Sequence, residues 1–222
     1  MEIKTLDRIG TKIALDTADI HTFAVVLFLP GVSGGAFTER YDTLSKACRK
    51  GGMDFLRVQS WHTHKELEER NTRLLHQSID TAVSYIKEKG YTNIRAVGKS
   101  MGGTMLLTRN HPDVSRMVLW APVVGIAETA GNLDDKLDTA FSEVHSLNEI
   151  TLDEKTLMQI KTPVRIIQGS EDEIMPLASA RKLVGLLPSA DLIEIEKMGH
   201  SPDTPEQQEK VTGATVQFLE QI

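Results

Sequence analysis

Asn93-Ile94-Arg95-Ala96-Val97-Gly98-Lys99-Ser100-Met101-Gly102-Gly103 reads as a short strand running straight into a Gly-x-Ser-x-Gly turn. That pattern carries a mechanism. A serine held on a tight strand-to-helix turn is lifted clear of the sheet, and glycines on either side relieve the crowding the turn creates. The pattern alone arises by chance in about one chain in 20 of this size, taking Gly at roughly 7%. Its neighbours therefore have to carry the argument.

Upstream, two strands are expected at Glu2 to Arg8 and Lys12 to Thr17, joined at Ile9-Gly10-Thr11, followed by the nearly unbroken apolar run Phe23 to Leu29. A continuous apolar run suits a strand covered on both faces. From there helices and short buried strands alternate, the pattern of a parallel sheet with helical crossovers. Phe37, Tyr41, Leu44, Ala47 and Cys48 form a helical stripe ending at Gly51-Gly52, and Asp54 to Gln59 is the next strand. Leu75, Ile79, Ala82, Val83 and Ile86 line one face of a helix stopped near Gly90. After the Ser100 turn come a helix interrupted at His111-Pro112, then strands Arg116 to Trp120 and Pro163 to Gln168. A helix through Ala180, Leu183, Val184 and Leu187, a strand Asp191 to Glu196 and a closing helix opened by Thr204-Pro205-Glu206 complete the chain.

Gly31-Val32-Ser33-Gly34-Gly35 repeats the serine pattern after the third strand, so two serines compete. The Ser100 turn follows the fifth strand, with further strand and helix units on either side, which places it near the middle of the sheet. A serine hydroxyl needs a base within reach and a group that orients the base. Of seven histidines, His200 follows the last strand in Lys197-Met198-Gly199-His200-Ser201-Pro202. In a parallel sheet the loops after strand ends gather on one edge, so this loop and the Ser100 turn share it. The strand Pro163 to Gln168 runs likewise into Gly169-Ser170-Glu171-Asp172-Glu173, where three acids compete for the orienting role.

Taken together, Gly98 to Gly103, Gly169-Ser170-Glu171-Asp172 with Met175-Pro176, and Gly199-His200 resemble the α/β-hydrolase superfamily of serine esterases and related enzymes, a likeness that runs over nearly the whole chain. The three segments occur in that family's order of nucleophile, acid and histidine. The resemblance implies an α/β fold with a mostly parallel central sheet flanked by helices, and the triad Ser100, Asp172 and His200. It selects Asp172 by its spacing from Gly169, a register in which Glu171 and Glu173 remain one residue away. It also implies an oxyanion hole from the backbone N–H groups of Val32 and Met101, giving the Ser33 turn a separate use. Pro30 stands where many members have a histidine, a departure that leaves the backbone donors in place. The implied activity is hydrolysis of a small to medium carboxylic ester through an acyl-enzyme on Ser100, with no cofactor. Acyl thioesters, lyase or perhydrolase chemistry on the same triad, and a catalytically silent binding module, are the other readings this fold allows.

At 222 residues, 40% hydrophobic and 25% charged, the chain has the composition of one folded globular domain. The formal charge of −6 and the lack of clustered Lys and Arg argue against a nucleic-acid partner. The first residues show no basic stretch followed by an apolar run, and no segment is apolar for long enough to span a bilayer. Cys48 is the single cysteine, excludes an internal disulfide and reads as a small core residue, so a reducing, cytoplasmic setting is the expectation. His62 and His64 in Trp61-His62-Thr63-His64 have the spacing of a metal pair but no Cys or Asp partner nearby, so no metal site is expected. His21, His76, His111 and His145 stand outside any chemical constellation. Residues 125–161 form a long insertion before the acid-bearing strand, with Leu133, Leu137, Phe141, Val144 and Asn148 at helical spacing. Such a helix is either a crossover packed on the sheet or a small lid over a substrate pocket.

Overall fold

A computed structural model describes residues 2–20, 22–33, 35–61, 72–127 and 151–221. Its chain order is β1 (Lys4–Thr5), β2 (Lys12–Asp16), β3 (Ala24–Leu29), a 3-10 turn (Glu39–Tyr41), α1 (Asp42–Lys50), β4 (Asp54–Gln59), α2 (Thr72–Glu88) and β5 (Asn93–Lys99). There follow α3 (Met101–Arg109), β6 (Val114–Trp120), β7 (Gly125–Ala127), β8 (Thr151–Asp153), α4 (Glu154–Gln159), β9 (Val164–Gly169), α5 (Leu177–Leu186), β10 (Ala190–Ile195) and α6 (Pro205–Leu219).

The 8-stranded sheet has the order β1-β2-β4-β3-β5-β6-β9-β10. Only β1 with β2 and β2 with β4 pair antiparallel; the six strands from β4 to β10 are joined in parallel. This is the mostly parallel sheet that the helix and strand alternation implies. Alternate side chains of each central strand enter different cores, as the period of two requires. Val25, Leu27 and Leu29 of β3 join one core with Ile79 and Val83 of α2, Leu106 of α3 and Leu183 of α5. Val26 and Phe28 join the other with Leu44 and Cys48 of α1 and Val211 and Phe218 of α6. Two covered faces explain why β3 reads as an unbroken apolar run. Cys48 is fully buried, and burial pushes its thiol up to about 12, so it behaves as a small apolar residue.

Local chemistry sets the element ends. Thr204 caps α6, its hydroxyl accepting from the Gln207 N–H while the Gln207 side-chain oxygen accepts from the Thr204 N–H, with Pro205 in the first turn. The helix after the Ser100 turn ends at Arg109, earlier than His111-Pro112, because Asn110 adopts a left-handed conformation at φ 40°. Phe37 of the expected helical stripe lies before the helix, since Thr38 is extended and its N–H turns back to the Gly35 carbonyl. β7 and β8 pair in parallel as a two-stranded ribbon, which ties residues 125–127 to residues 151–153 within the expected 125–161 insertion. Its expected helix falls within 128–150, outside the described residues, as do His62 and His64. Among the described residues no helix is long and apolar enough to cross a membrane.

β5 lies at the centre of the parallel strands, and the turn after it is closed by backbone contact. A Cβ on Gly98 would stand 2.5 Å from the Gly103 nitrogen, and one on Gly102 would stand 2.5 Å from both the Leu29 and Pro30 carbonyl oxygens. Backbone cannot retreat as a flexible side chain can, so these positions exclude any larger residue. Gly102→Ala is expected to lower the unfolding free energy by about 2 kcal/mol or more in urea denaturation. Gly213→Ala, in the middle of α6 with nothing within 4 Å of its added Cβ, is expected to raise it by about 0.5–1 kcal/mol.

Candidate active site

Ser100 sits between β5 and α3 at φ 50° and ψ −120°, a left-handed conformation that costs a residue with a side chain about 1–3 kcal/mol. Main-chain hydrogen bonds hold it there. The Ser100 N–H donates to the Trp120 carbonyl at 2.7 Å, and the Ser100 carbonyl accepts from the Thr104 N–H at 3.0 Å. Thr104 is fully buried and is fixed in turn by Val123, its hydroxyl donating to the Val123 carbonyl at 2.8 Å and accepting from the Val123 N–H at 3.0 Å.

His200 lies in the loop after β10, with its Nε2 3.0 Å from Ser100 Oγ. Its Nδ1 is 2.9 Å from Asp172 Oδ2 and 3.2 Å from Oδ1. With Nδ1 protonated and donating to the carboxylate, Nε2 is left as the acceptor for the serine O–H. Ser33, the competing serine, is exposed, and the structure brings Ser100 rather than Ser33 to the histidine. Asp172 is buried, whereas Glu171 and Glu173 are exposed, so the acid that meets the imidazole is the middle one.

The acid loop is shaped before the histidine reaches it. Asp172 Oδ1 accepts from the Ile174 and Met175 N–H groups, each at 2.9 Å. Gln168, the fully buried penultimate residue of β9, donates from Nε2 to Asp172 Oδ2 at 2.6 Å and to the Met175 carbonyl at 2.9 Å. Burial alone would push the Asp172 carboxyl up, but the Met175 N–H, the His200 imidazole and the Ile174 N–H outweigh it and hold it below the usual carboxylate value. Gln168 escaped the sequence reading because a glutamine at the end of a strand belongs to no motif. A polar residue after the apolar pair Ile166-Ile167, just before the acid turn, is the one signal it gives.

The acid and histidine loops are also stitched to each other. The Glu171 N–H donates to the Met198 carbonyl at 3.0 Å and the Lys197 N–H to Ser170 Oγ at 2.9 Å. A Cβ on Gly169 would overlap the carbonyl oxygens of Met198 and Gly199, so only glycine lets the two loops approach this closely.

On the other side of Ser100, a Cβ on Gly31 would stand 3.4 Å from Ser100 Cβ, so the loop after β3 lies against the serine. The Trp61 indole N–H donates to the Val32 carbonyl at 2.9 Å and fixes the orientation of that peptide. The N–H groups of Val32 and of Met101, the first residue of α3, take no acceptor among the described residues. Neither remaining described histidine joins the site. His76 is buried against the Thr108 hydroxyl at 2.8 Å and held neutral, its imidazole lowered to about 4 by burial, while His111 Nδ1 accepts from the Asp113 N–H. Among the described residues no group of three or more His, Cys, Asp or Glu is placed to hold a metal ion.

No protein-family model and no curated protein matches the sequence. The fold, by contrast, is shared with many solved structures, and it is the α/β-hydrolase fold. Est1E from Butyrivibrio proteoclasticus, solved with ferulic acid bound, superposes with a TM-score of 0.79 at 19% identity over 99% of this chain and 98% of that one. The Paleococcus ferrophilus monoacylglycerol lipase gives 0.73 at 16% identity over 99% of both chains. MGS-M2, an alpha/beta hydrolase enzyme from a Medee basin deep-sea metagenome library, gives 0.69 at 18% identity over 100% of this chain and 98% of that one.

The His200 imidazole is held below the ordinary histidine value of 6.5, first by burial and then by the neighbouring Lys99 ammonium, with Asp172 pulling the other way. It is therefore neutral at pH 7. Followed by NMR of the imidazole nitrogens, His200 is expected to titrate below 6.5. Asp172→Asn should lower that value further by removing the opposing charge, and a rise on the same substitution would contradict the geometry.

Proposed function

We propose that the protein is a serine hydrolase that cleaves small to medium carboxylic esters through an acyl-enzyme on Ser100. One observation supports this above all others. Ser100 Oγ, His200 and Asp172 form a continuous hydrogen-bonded line at 3.0 and 2.9 Å, with the serine held at a positive φ that only its surroundings stabilise. A pure binding module gains nothing from a strained serine facing a neutral imidazole.

The chemistry follows from those positions. Ser100 Oγ attacks the ester carbonyl carbon as His200 Nε2 takes the hydroxyl proton, and Asp172 stabilises the imidazolium that forms. The carbonyl oxygen acquires negative charge and is met by the Val32 and Met101 N–H groups. Losing one such donor typically costs about 3 kcal/mol of transition-state stabilisation. Met101 opens α3, so the positive end of that helix faces the same charge. The C–O bond to the alcohol breaks, His200 returns its proton to the leaving oxygen, and the alcohol departs. Water, deprotonated by the same imidazole, then attacks the acyl-enzyme and releases the acid with Ser100 restored.

Ser100→Ala and His200→Ala are each expected to reduce kcat/KM for p-nitrophenyl butyrate by about four orders of magnitude or more. Ser33→Ala should retain turnover. Full activity in Ser100→Ala together with its loss in Ser33→Ala would move the nucleophile to the other glycine-flanked serine. Because protonated His200 cannot act as a base, kcat/KM should hold through neutral pH and fall only on the acid side of 6.5.

A further inference from the structure

The loop after β3, Gly31-Val32-Ser33-Gly34-Gly35, has three glycines in five residues and so little conformational preference of its own. What holds it comes from outside. Among the described residues, the backbone of 31–33 takes part in one hydrogen bond, the Trp61 indole N–H donating to the Val32 carbonyl at 2.9 Å. The next anchor is Ala36, whose N–H donates to Gln59 Oε1 at 2.8 Å and whose carbonyl accepts from the Arg57 guanidinium at 3.3 Å. Arg57 and Gln59 belong to β4 and Trp61 lies two residues past its end, so one strand and its exit secure the loop at both ends.

Trp61 is 1% exposed and belongs to the core that contains Leu29 at the end of β3, Ile79 of α2 and Met101 at the start of α3, with Val32 packed against the same core. An indole enclosed in a close-packed core keeps the direction of its N–H. On the other side of Val32 the contacts are with the nucleophile turn. The Leu29 and Pro30 carbonyls press on Gly102, and a Cβ on Gly31 would stand 3.4 Å from Ser100 Cβ. Val32 is thus held between two fixed points, the start of α3 and the indole.

We infer that Trp61 is a positioning residue for the oxyanion site: by binding the Val32 carbonyl, its indole N–H holds the Val32 N–H beside Ser100, where the ester oxygen gains charge. The inference rests on the reading of Ser100 as nucleophile and of Val32 as a donor to that oxygen. A donor stabilises the transition state fully only if it is in place before the charge develops. Released from the indole, a glycine-rich loop has to be ordered anew in each turnover, and displacing a catalytic group by about 1 Å can cost about 100-fold in rate. The neutral ester gains less from the same N–H, so the loss falls on kcat rather than on KM.

The test is Trp61→Phe, which keeps an aromatic ring and removes the donor, assayed with p-nitrophenyl butyrate. kcat is expected to fall about tenfold or more, with KM changed by less than about twofold. Propyl trifluoromethyl ketone forms an Oγ–C bond with Ser100, its π electrons passing to the ketone oxygen and the serine proton to His200 Nε2. Its inhibition constant should therefore rise by the factor by which kcat/KM falls. The backbone order parameter of the Val32 amide, measured by NMR, should drop from the rigid range near about 0.85 toward about 0.6. Ile79→Val, in the same core with the indole N–H left in place, should lower stability without these changes. If Trp61→Phe does not fold, replacing Trp61 by benzothienylalanine, which exchanges only the indole N–H for sulfur, makes the same comparison. An unchanged kcat, or an equal loss in Ile79→Val, would make Trp61 a purely structural residue and overturn the inference. A wild-type protein that neither hydrolyses the ester nor reacts with a fluorophosphonate, while Trp61→Phe still loosens the Val32 amide, would remove the nucleophile reading and leave the hold on the loop standing. A Val32 amide that stays rigid in Trp61→Phe would overturn the inference whatever the activity.

Discussion

The turn at Ser100 constrains everything around it. A residue with a side chain held at φ 50° persists only where the surroundings leave it no alternative. Here the surroundings are backbone. The Leu29 and Pro30 carbonyls press on Gly102, the start of α3 presses on Gly98, and the main chain of Ser100 is bonded to Trp120 and Thr104. Three consecutive strands of the sheet, β3, β5 and β6, thus converge on one residue. The central position of β5 is what makes that convergence available, since it brings in neighbours from both sides.

The same edge of the sheet supplies the remaining groups. In a parallel sheet every strand ends on one rim, so the loops after β3, β9 and β10 reach the serine without long excursions. Their order around Ser100 follows the strand order: Gly31 and Val32 from the β3 side, Asp172 and His200 from the β9 and β10 side. Close approach of backbone at Gly169 locks the acid loop to the histidine loop, and the carboxylate is fixed by Gln168 and two N–H groups before it meets the imidazole. The imidazole therefore receives an orientation rather than choosing one. Its neutrality comes from burial and from the Lys99 charge.

Much of this was legible in the sequence because it depends on short-range rules. The unbroken run of β3 reports two covered faces, Thr204-Pro205 reports a helix start, and the glycines around Ser100 report a turn with no room for a Cβ. The order of Ser100, Asp172 and His200 points to one rim and the spacing from Gly169 selects Asp172, while the burial that separates Asp172 from its exposed neighbours Glu171 and Glu173 shows only in the folded chain. Gln168 and Lys99 were not legible. Each acquires its role from groups distant in sequence: Gln168 from the turn that wraps back onto β9, Lys99 from the packing of α1 and α6, which lie toward opposite ends of the chain. Phe37 was assigned to a helix because its spacing fits, and the extended Thr38 overrode that spacing locally.

The most direct measurement is peptide mapping by mass spectrometry after reaction of the native protein with diisopropyl fluorophosphate. A serine activated by the imidazole 3.0 Å away should give one adduct per chain, on the peptide that carries Ser100, and the adduct should be absent when the native fold is lost before the reagent is added. An adduct on the peptide carrying Ser33, or a native protein that stays unmodified at reagent concentrations that label activated serines, would contradict the account.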